Sequence, residues 1–223
     1  MTKRRDRPDY YSRRAKAESY ASRAVYKLAD LDRKYRLFLP GQRVLDLGCA
    51  PGSWLQYISS RVGSQGVVIG IDRQPLKIAV KPPIKFIQGD LMHLDPETVQ
   101  REAPIFEVVV SDLAPATSGI KEVDQARSLE LARLSWRWAQ QLLARGGHYL
   151  VKVFNGPEVP GLVAELKASF REVKIAKPTG SRPESRELYL VGLERLPAGT
   201  VSEAAKLEEE AGRSELKSLG KGG

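Results

Sequence analysis

Only one cysteine, Cys49, occurs in 223 residues, so no intramolecular disulfide and no cysteine-rich metal cluster can form. Two histidines, His93 and His148, leave little material for a zinc site, and no metal is expected. No apolar run reaches the length that crosses a bilayer, and the opening MTKRRDRPDYYSRRAK carries no apolar signal core. A reducing, cytoplasmic setting without a membrane is the expectation. With 42% hydrophobic and 28% charged residues the chain reads as globular, and its length favours one domain with tails over two domains.

Charge is present in excess but in one place. Residues 1–36 hold 12 Lys/Arg against 5 Asp/Glu, or +7 of the net +9. Residues 37–196 carry +3 and residues 197–223 carry −1. A basic segment ahead of a near-neutral domain points to a polyanion, because each Lys or Arg that neutralises a phosphate releases condensed counterions. Tyr10, Tyr11 and Tyr20 interleave with the arginines and offer rings to unpaired bases. By itself such an arm is more ordinarily a solvated tail. Residues 1–19 are read as the arm, 20–196 as the domain and 197–223 as a polar, loosely attached tail.

From Tyr20 to Phe38 the pattern predicts an amphipathic helix ended by Pro40-Gly41, with Tyr20, Ala24, Lys27 and Leu31 on one face. Apolar strand-like runs follow at 43–48, 67–72, 84–89, 106–112, 148–154, 172–176 and 187–193. Helical patterns lie at 53–62, 122–145 and 158–169, and the prolines of 75–83 forbid a regular crossover there. Val/Ile/Leu strands alternating with helices imply an α/β architecture: a mostly parallel seven-stranded sheet with helices on both faces. The last two strands, with no long helix between them, predict an antiparallel hairpin.

The first strand runs into VLDLGCAPGSW, containing Asp46, Gly48, Cys49, Ala50, Pro51, Gly52, Ser53 and Trp54. Small residues at a strand-to-helix turn let a ligand approach the backbone at the carboxyl edge of a sheet. The spacing does not meet the nicotinamide G-x-G-x-x-G pattern, which disfavours a dehydrogenase. Asp72 closes the second strand, where a carboxylate can accept both ribose hydroxyls, and Asp90 closes the third, within reach of an adenine amino group. A glycine turn and two acids suit a nucleoside with a cationic tail, such as S-adenosylmethionine. Each Asp alone is more ordinarily a turn cap.

Three charges sit where burial makes them costly. Lys152 lies inside the apolar run HYLVKVF, Lys27 shares a face with apolar neighbours, and Asp112 ends FEVVVSD. Glu187 starts a strand rather than ending one, which brings it to the same sheet edge if that strand is antiparallel. The segments SRAVYKL, DLGCAPGSWLQ, SDLAPATSG, VKVF and SRELYLV, in this order, together resemble the FtsJ/RrmJ family of S-adenosylmethionine-dependent RNA ribose 2′-O-methyltransferases, across roughly residues 10–195. The resemblance implies a Rossmann-like methyltransferase fold. It also implies a catalytic set of Lys27, Asp112, Lys152 and Glu187, and cofactor contacts at Gly52, Trp54, Asp72, Asp90 and Asp112. The likeness is strongest to bacterial members acting on a uridine ribose of 23S ribosomal RNA in the large subunit, which makes RNA the expected partner of a monomer. Cys49, Ser53, Ala116 and the stretch NGPEVPG depart from the family pattern. Transfer RNA or another RNA as substrate, and a non-catalytic ribosome assembly factor, remain the competing readings. Lys152 is either the base for the 2′-hydroxyl or a cation that steers it and stabilises its developing charge.

Overall fold

Strands rich in Val, Ile and Leu on successive positions must be covered on both sides, and here they are. The computed structural model describes residues 10–178 and 185–197. Among these, seven strands form one sheet: β1 (Arg43–Leu47), β2 (Val67–Asp72), β3 (Ile84–Gln88), β4 (Phe106–Ser111), β5 (Leu143–Phe154), β6 (Phe170–Ala176) and β7 (Glu187–Arg195). Their spatial order is β3-β2-β1-β4-β5-β7-β6. β1 to β5 run parallel, and β7 alone is antiparallel to its neighbours β5 and β6. The expected mostly parallel sheet with one reversed strand is therefore the observed one. Glu187 pairs with Phe154, so the start of β7 lies at the carboxyl edge of β5.

Alternation along each strand splits the core in two. Leu45, Leu47, Ile69, Val109 and Val151 pack under α5 (Lys121–Leu142) and α6 (Val159–Lys167), through Trp136, Ala139, Leu162 and Leu166. Val44, Val68, Val108, Val110 and Leu150 face α2 (Val25–Tyr35) and α3 (Ser53–Val62), through Leu28, Leu31, Leu55 and Ile58. Each fully buried aliphatic side chain contributes about 1.5–3 kcal/mol. The odd and even positions of one short strand thus tie together both helical layers.

Three helix boundaries differ from the expectation. The helix expected over 20–38 runs only from Val25 to Tyr35. Ahead of it, the Ala21 amide donates to Gln56 Oε1 and the Ser22 hydroxyl meets that of Ser53, so side chains of α3 take the groups that would otherwise extend the helix. Tyr20 and Ala24 accordingly lie outside it, while Leu31 is buried as expected. Arg36 ends α2 in the left-handed region, its amide bonded to the Asp32 carbonyl. The helix expected to reach 145 stops at Leu142, and β5 begins at Leu143. There the Arg195 guanidinium donates to the carbonyls of Ala139, Gln140 and Leu143, satisfying carbonyls that a helix end leaves open. The third helix, expected over 158–169, spans Val159–Lys167.

Two helices had not been expected. α4 (Pro96–Gln100) carries a recognisable start: the Asp95 carboxylate accepts the Glu97 amide at 2.9 Å, with proline in the first turn. α1 (Tyr10–Ala17) lies within the segment read as an arm. It docks on the domain through buried Ala15 and through Tyr11, whose ring centroid is 5.6 Å from that of Tyr26. Residues 1–9 of the arm and 198–223 of the tail fall outside the described residues. As the prolines required, 75–83 contains neither helix nor strand, and β3 begins directly after it at Ile84.

Candidate active site

β1 leads on to β2 and β3 on one side, while β4 and β5 lie on its other side, so the connections diverge at the carboxyl edge between β1 and β4. Ligands of open α/β sheets bind at such a divergence. A cleft of about 280 Å³ opens there, with Gly48, Ala50, Asp72, Asp90, Asp112 and Met92 among its walls. Gly48 adopts φ +81°, and a Cβ there would fall within 3.1 Å of Leu113 backbone, so the turn needs glycine on both counts. Asp72 accepts the amides of Ala50 at 2.9 Å and Gln74 at 2.8 Å. Asp90 accepts the Met92 amide at 3.0 Å and lies 3.6 Å from the Arg73 guanidinium. Both carboxylates brace local turns and also line the cleft; the two readings of each Asp are not exclusive.

Gly52 and Trp54 are not among the residues lining this cleft. Gly52 caps α3 at φ +112°, and a Cβ there would come within 2.7 Å of Ile78. Trp54 turns its ring inward: it is 2% exposed, its indole N–H donates to the Ala24 carbonyl at 3.0 Å, and its centroid lies 6.2 Å from that of Tyr189. Its side chain thus wedges the start of α2 against β7.

Beside the cleft the four ionisable residues meet as two pairs. Lys152, only 5% exposed, places Nζ 2.9 Å from Asp112 Oδ1 and donates to the Asp112 carbonyl at 2.8 Å. Lys27 forms an ion pair with Glu187 Oε2, which also accepts the Ser185 hydroxyl at 3.1 Å. Lys152 registers with Tyr189 and Phe154 with Glu187, so β5 and β7 present the two pairs on one face. Burial alone would raise the Glu187 carboxyl, but the Lys27 hydrogen bond and the charges of Lys27 and Lys152 hold it below its ordinary value. Glu187 is therefore ionised at neutral pH.

Two members of this cluster were not singled out from the sequence. The Tyr189 hydroxyl donates to Asp112 Oδ1 at 3.3 Å, and burial, with Asp112 and Glu187 nearby, raises its phenol well above the usual range. Its position two residues after Glu187 on a strand, hence on the same face, was the available signal. Asp46 is completely buried on β1, and neither carboxyl oxygen has a hydrogen-bond partner. Burial first, then the charges of Asp112 and Asp72, push its carboxyl well above the ordinary carboxylate range.

Three carboxylates opposed by one arginine give the cleft a negative wall suited to a ligand bearing positive charge and paired hydroxyls. Those properties match S-adenosylmethionine, with its sulfonium, ammonium and ribose diol. Among the described residues no group of three or more His, Cys, Asp and Glu is placed to hold a metal ion. No described helix is long and apolar enough to cross a membrane.

The family model for FtsJ-like methyltransferases matches residues 20–195. A protein of Bdellovibrio bacteriovorus named ribosomal RNA large subunit methyltransferase E is 43% identical over 190 residues, covering 84% of this chain and 96% of that one. A Coxiella burnetii protein of the same name is 47% identical over 197 residues, covering 84% and 91%. The crystal structure of a ribosomal RNA methyltransferase from Plasmodium falciparum superposes with a TM-score of 0.70 at 33% identity, covering 79% of this chain and 99% of that one.

Proposed function

This chain belongs to the FtsJ-like methyltransferase family, and on that footing we propose that it transfers a methyl group from S-adenosylmethionine to a ribose 2′-hydroxyl, that of a uridine in large-subunit ribosomal RNA. The observation that carries the reading is Lys152, buried in an apolar strand with its amine fixed by Asp112 at the lip of the acidic cleft. The large ribosomal subunit is the partner, met in the cytoplasm by a monomer, and the basic residues of 1–36 supply counter-charge for its phosphates.

When bound, S-adenosylmethionine supplies an electrophilic methyl group on a sulfonium. Asp72 would receive the ribose hydroxyls, Asp90 would hold the adenine end, and Asp112 would border the methionine end. Gly52 contributes through the turn it shapes, and Trp54 through its brace between α2 and β7. An ammonium has three donors, and Asp112 takes two of those on Lys152. The third is left to meet the 2′-oxygen. On this reading Nζ acts as a donor that orients the hydroxyl and stabilises its developing negative charge. The hydroxyl proton would pass to water as the C–O bond forms and the methyl–sulfur bond breaks, the sulfur leaving as a neutral thioether. Glu187, held by Lys27 and Ser185, offers an acceptor that aligns the hydroxyl from the other side.

The test is transfer of isotopically labelled methyl from S-adenosylmethionine to an unmodified large-subunit ribosomal RNA transcript or subunit, followed by mapping of the label. Label on the 2′-oxygen of one uridine is the expected result. Label on a base, or none on either substrate, overturns the proposal.

A further inference from the structure

Charge is distributed unevenly around the Lys152–Asp112 pair. On its β1–β3 side the cleft walls carry three aspartates against Arg73. At the same edge of the sheet, beyond β5, a second cleft of about 610 Å³ is lined by Lys121, Lys177 and Arg186, with Glu122 the one carboxylate among its described walls. These three cations come from three separate places: the first residue of α5, the residue after β6 and the residue before β7. All three are exposed, so they keep water around them and suit a polyanion laid across the opening rather than a small ion sealed inside.

The second cleft is physically joined to the catalytic cluster. Ser185 is one of its walls, and the same hydroxyl reaches Glu187 Oε2 at 3.1 Å. Arg186 and Glu187 are consecutive in an extended segment, which sends their side chains to opposite faces. Another wall, Asn155, is pinned between Arg186 and Gln125: its amide donates to the Arg186 carbonyl at 2.7 Å, and its carbonyl accepts from the Gln125 side chain. A ribose held at Glu187 therefore has a fixed cationic recess within one residue of it, on the side away from the cofactor cleft.

We propose that this recess binds the phosphodiester of the RNA strand adjoining the target ribose, so that the backbone is anchored on one side of the reacting hydroxyl and the cofactor on the other. The inference rests on the RNA methyl-transfer reading above and adds to it the place where the strand is held. Phosphate contacts set register without reading sequence. The recess accordingly governs affinity and alignment, and base recognition lies elsewhere.

The experiment uses the full chain, an unmodified large-subunit ribosomal RNA transcript, and the variant Lys121→Gln/Lys177→Gln, neither residue being part of the catalytic cluster. Arg171→Gln, an exposed cation at the start of β6 on the opposite edge of the sheet, serves as the control. The double variant is expected to bind RNA roughly tenfold more weakly at 0.1 M salt, since contacts of charged groups are the stronger class of hydrogen bond. Its plot of log Kd against log salt should be shallower by about one, the signature of one lost phosphate. KM for RNA should rise, with kcat and S-adenosylmethionine affinity unchanged. Each single variant should show part of the effect, which keeps the test open should the double variant fold poorly. Wild-type affinity and salt slope in the variants, or an equal loss in Arg171→Gln, overturns the recess as a phosphate site while leaving the methyltransferase reading intact. Absence of methyl transfer to RNA by the wild type instead overturns the functional reading beneath it.

Discussion

Replacing Lys152 with methionine isolates the amine from everything else the residue does. Methionine keeps a flexible apolar stem of similar length within β5, where the residue is 5% exposed, and deletes only Nζ. Two contacts disappear, at 2.9 Å to Asp112 Oδ1 and 2.8 Å to its carbonyl oxygen. Hydrogen bonds to charged groups contribute about 1.5–3 kcal/mol. Asp112 is 23% exposed and keeps the Tyr189 hydroxyl, so water replaces part of what is lost. A stability cost of about 1–2 kcal/mol follows, or a fall in Tm of about 2–8 °C at this chain length. The catalytic loss is of another order, because a preorganised donor or proton-transfer group contributes about 10²–10⁴-fold. We expect kcat to fall at least 100-fold, about 3 kcal/mol of transition-state stabilisation, with S-adenosylmethionine affinity within a few-fold of wild type. Single-turnover transfer of labelled methyl at saturating RNA measures the first quantity, and titration calorimetry the second. A variant retaining kcat within tenfold of wild type would remove Lys152 from the chemistry. A parallel collapse of cofactor affinity would make it a binding residue instead.

Asp72→Ala removes the carboxylate that both lines the cleft and accepts the Ala50 and Gln74 amides. It should weaken S-adenosylmethionine binding more than tenfold by calorimetry, and unchanged affinity would refute the ribose assignment. Asp46→Asn tests the orphaned carboxyl beneath the glycine turn. The wild-type group ionises at its ordinary value when unfolded but well above it when folded, so the native state loses stability as pH rises between the two. Asparagine cannot ionise. In urea denaturation from pH about 4 to about 7, the difference should therefore grow in the variant's favour, and a flat difference would show that Asp46 ionises normally in place.

Much of this fold is visible before any coordinates, because its determinants are local. Unbroken Val/Ile runs, the prolines of 75–83 and the small residues around Gly48 each act through their own backbone or burial. Lys152 stands out for the same reason, as a cation in an apolar run. What escaped depends on partners distant in sequence. The first turn of the expected 20–38 helix yields to Gln56 and Ser53, residues more than 30 positions away. The end of α5 is set by Arg195, over 50 positions on. Trp54 looks like a cleft residue by its place in the motif, yet the Ala24 carbonyl and Tyr189 hold its ring in the core. Asp46 was noticed as part of a motif, but its lack of partners is a tertiary fact. α4, by contrast, is legible: Asp95-Pro96 is a local start signal.

The penultimate place in the sheet belongs to the strand that comes last among the described residues. β7 enters between β5 and β6 and brings with it Glu187, Tyr189 and the arginine that closes α5. A polypeptide emerging from the ribosome can build β1 to β5 in order, with the glycine turn in place, and still lack Glu187, the partner of Lys27. On the proposed mechanism, methyl transfer waits until residue 195 has been synthesised and threaded home. By the same rule a truncation that ends before Glu187 is expected to remove chemistry rather than trim the edge.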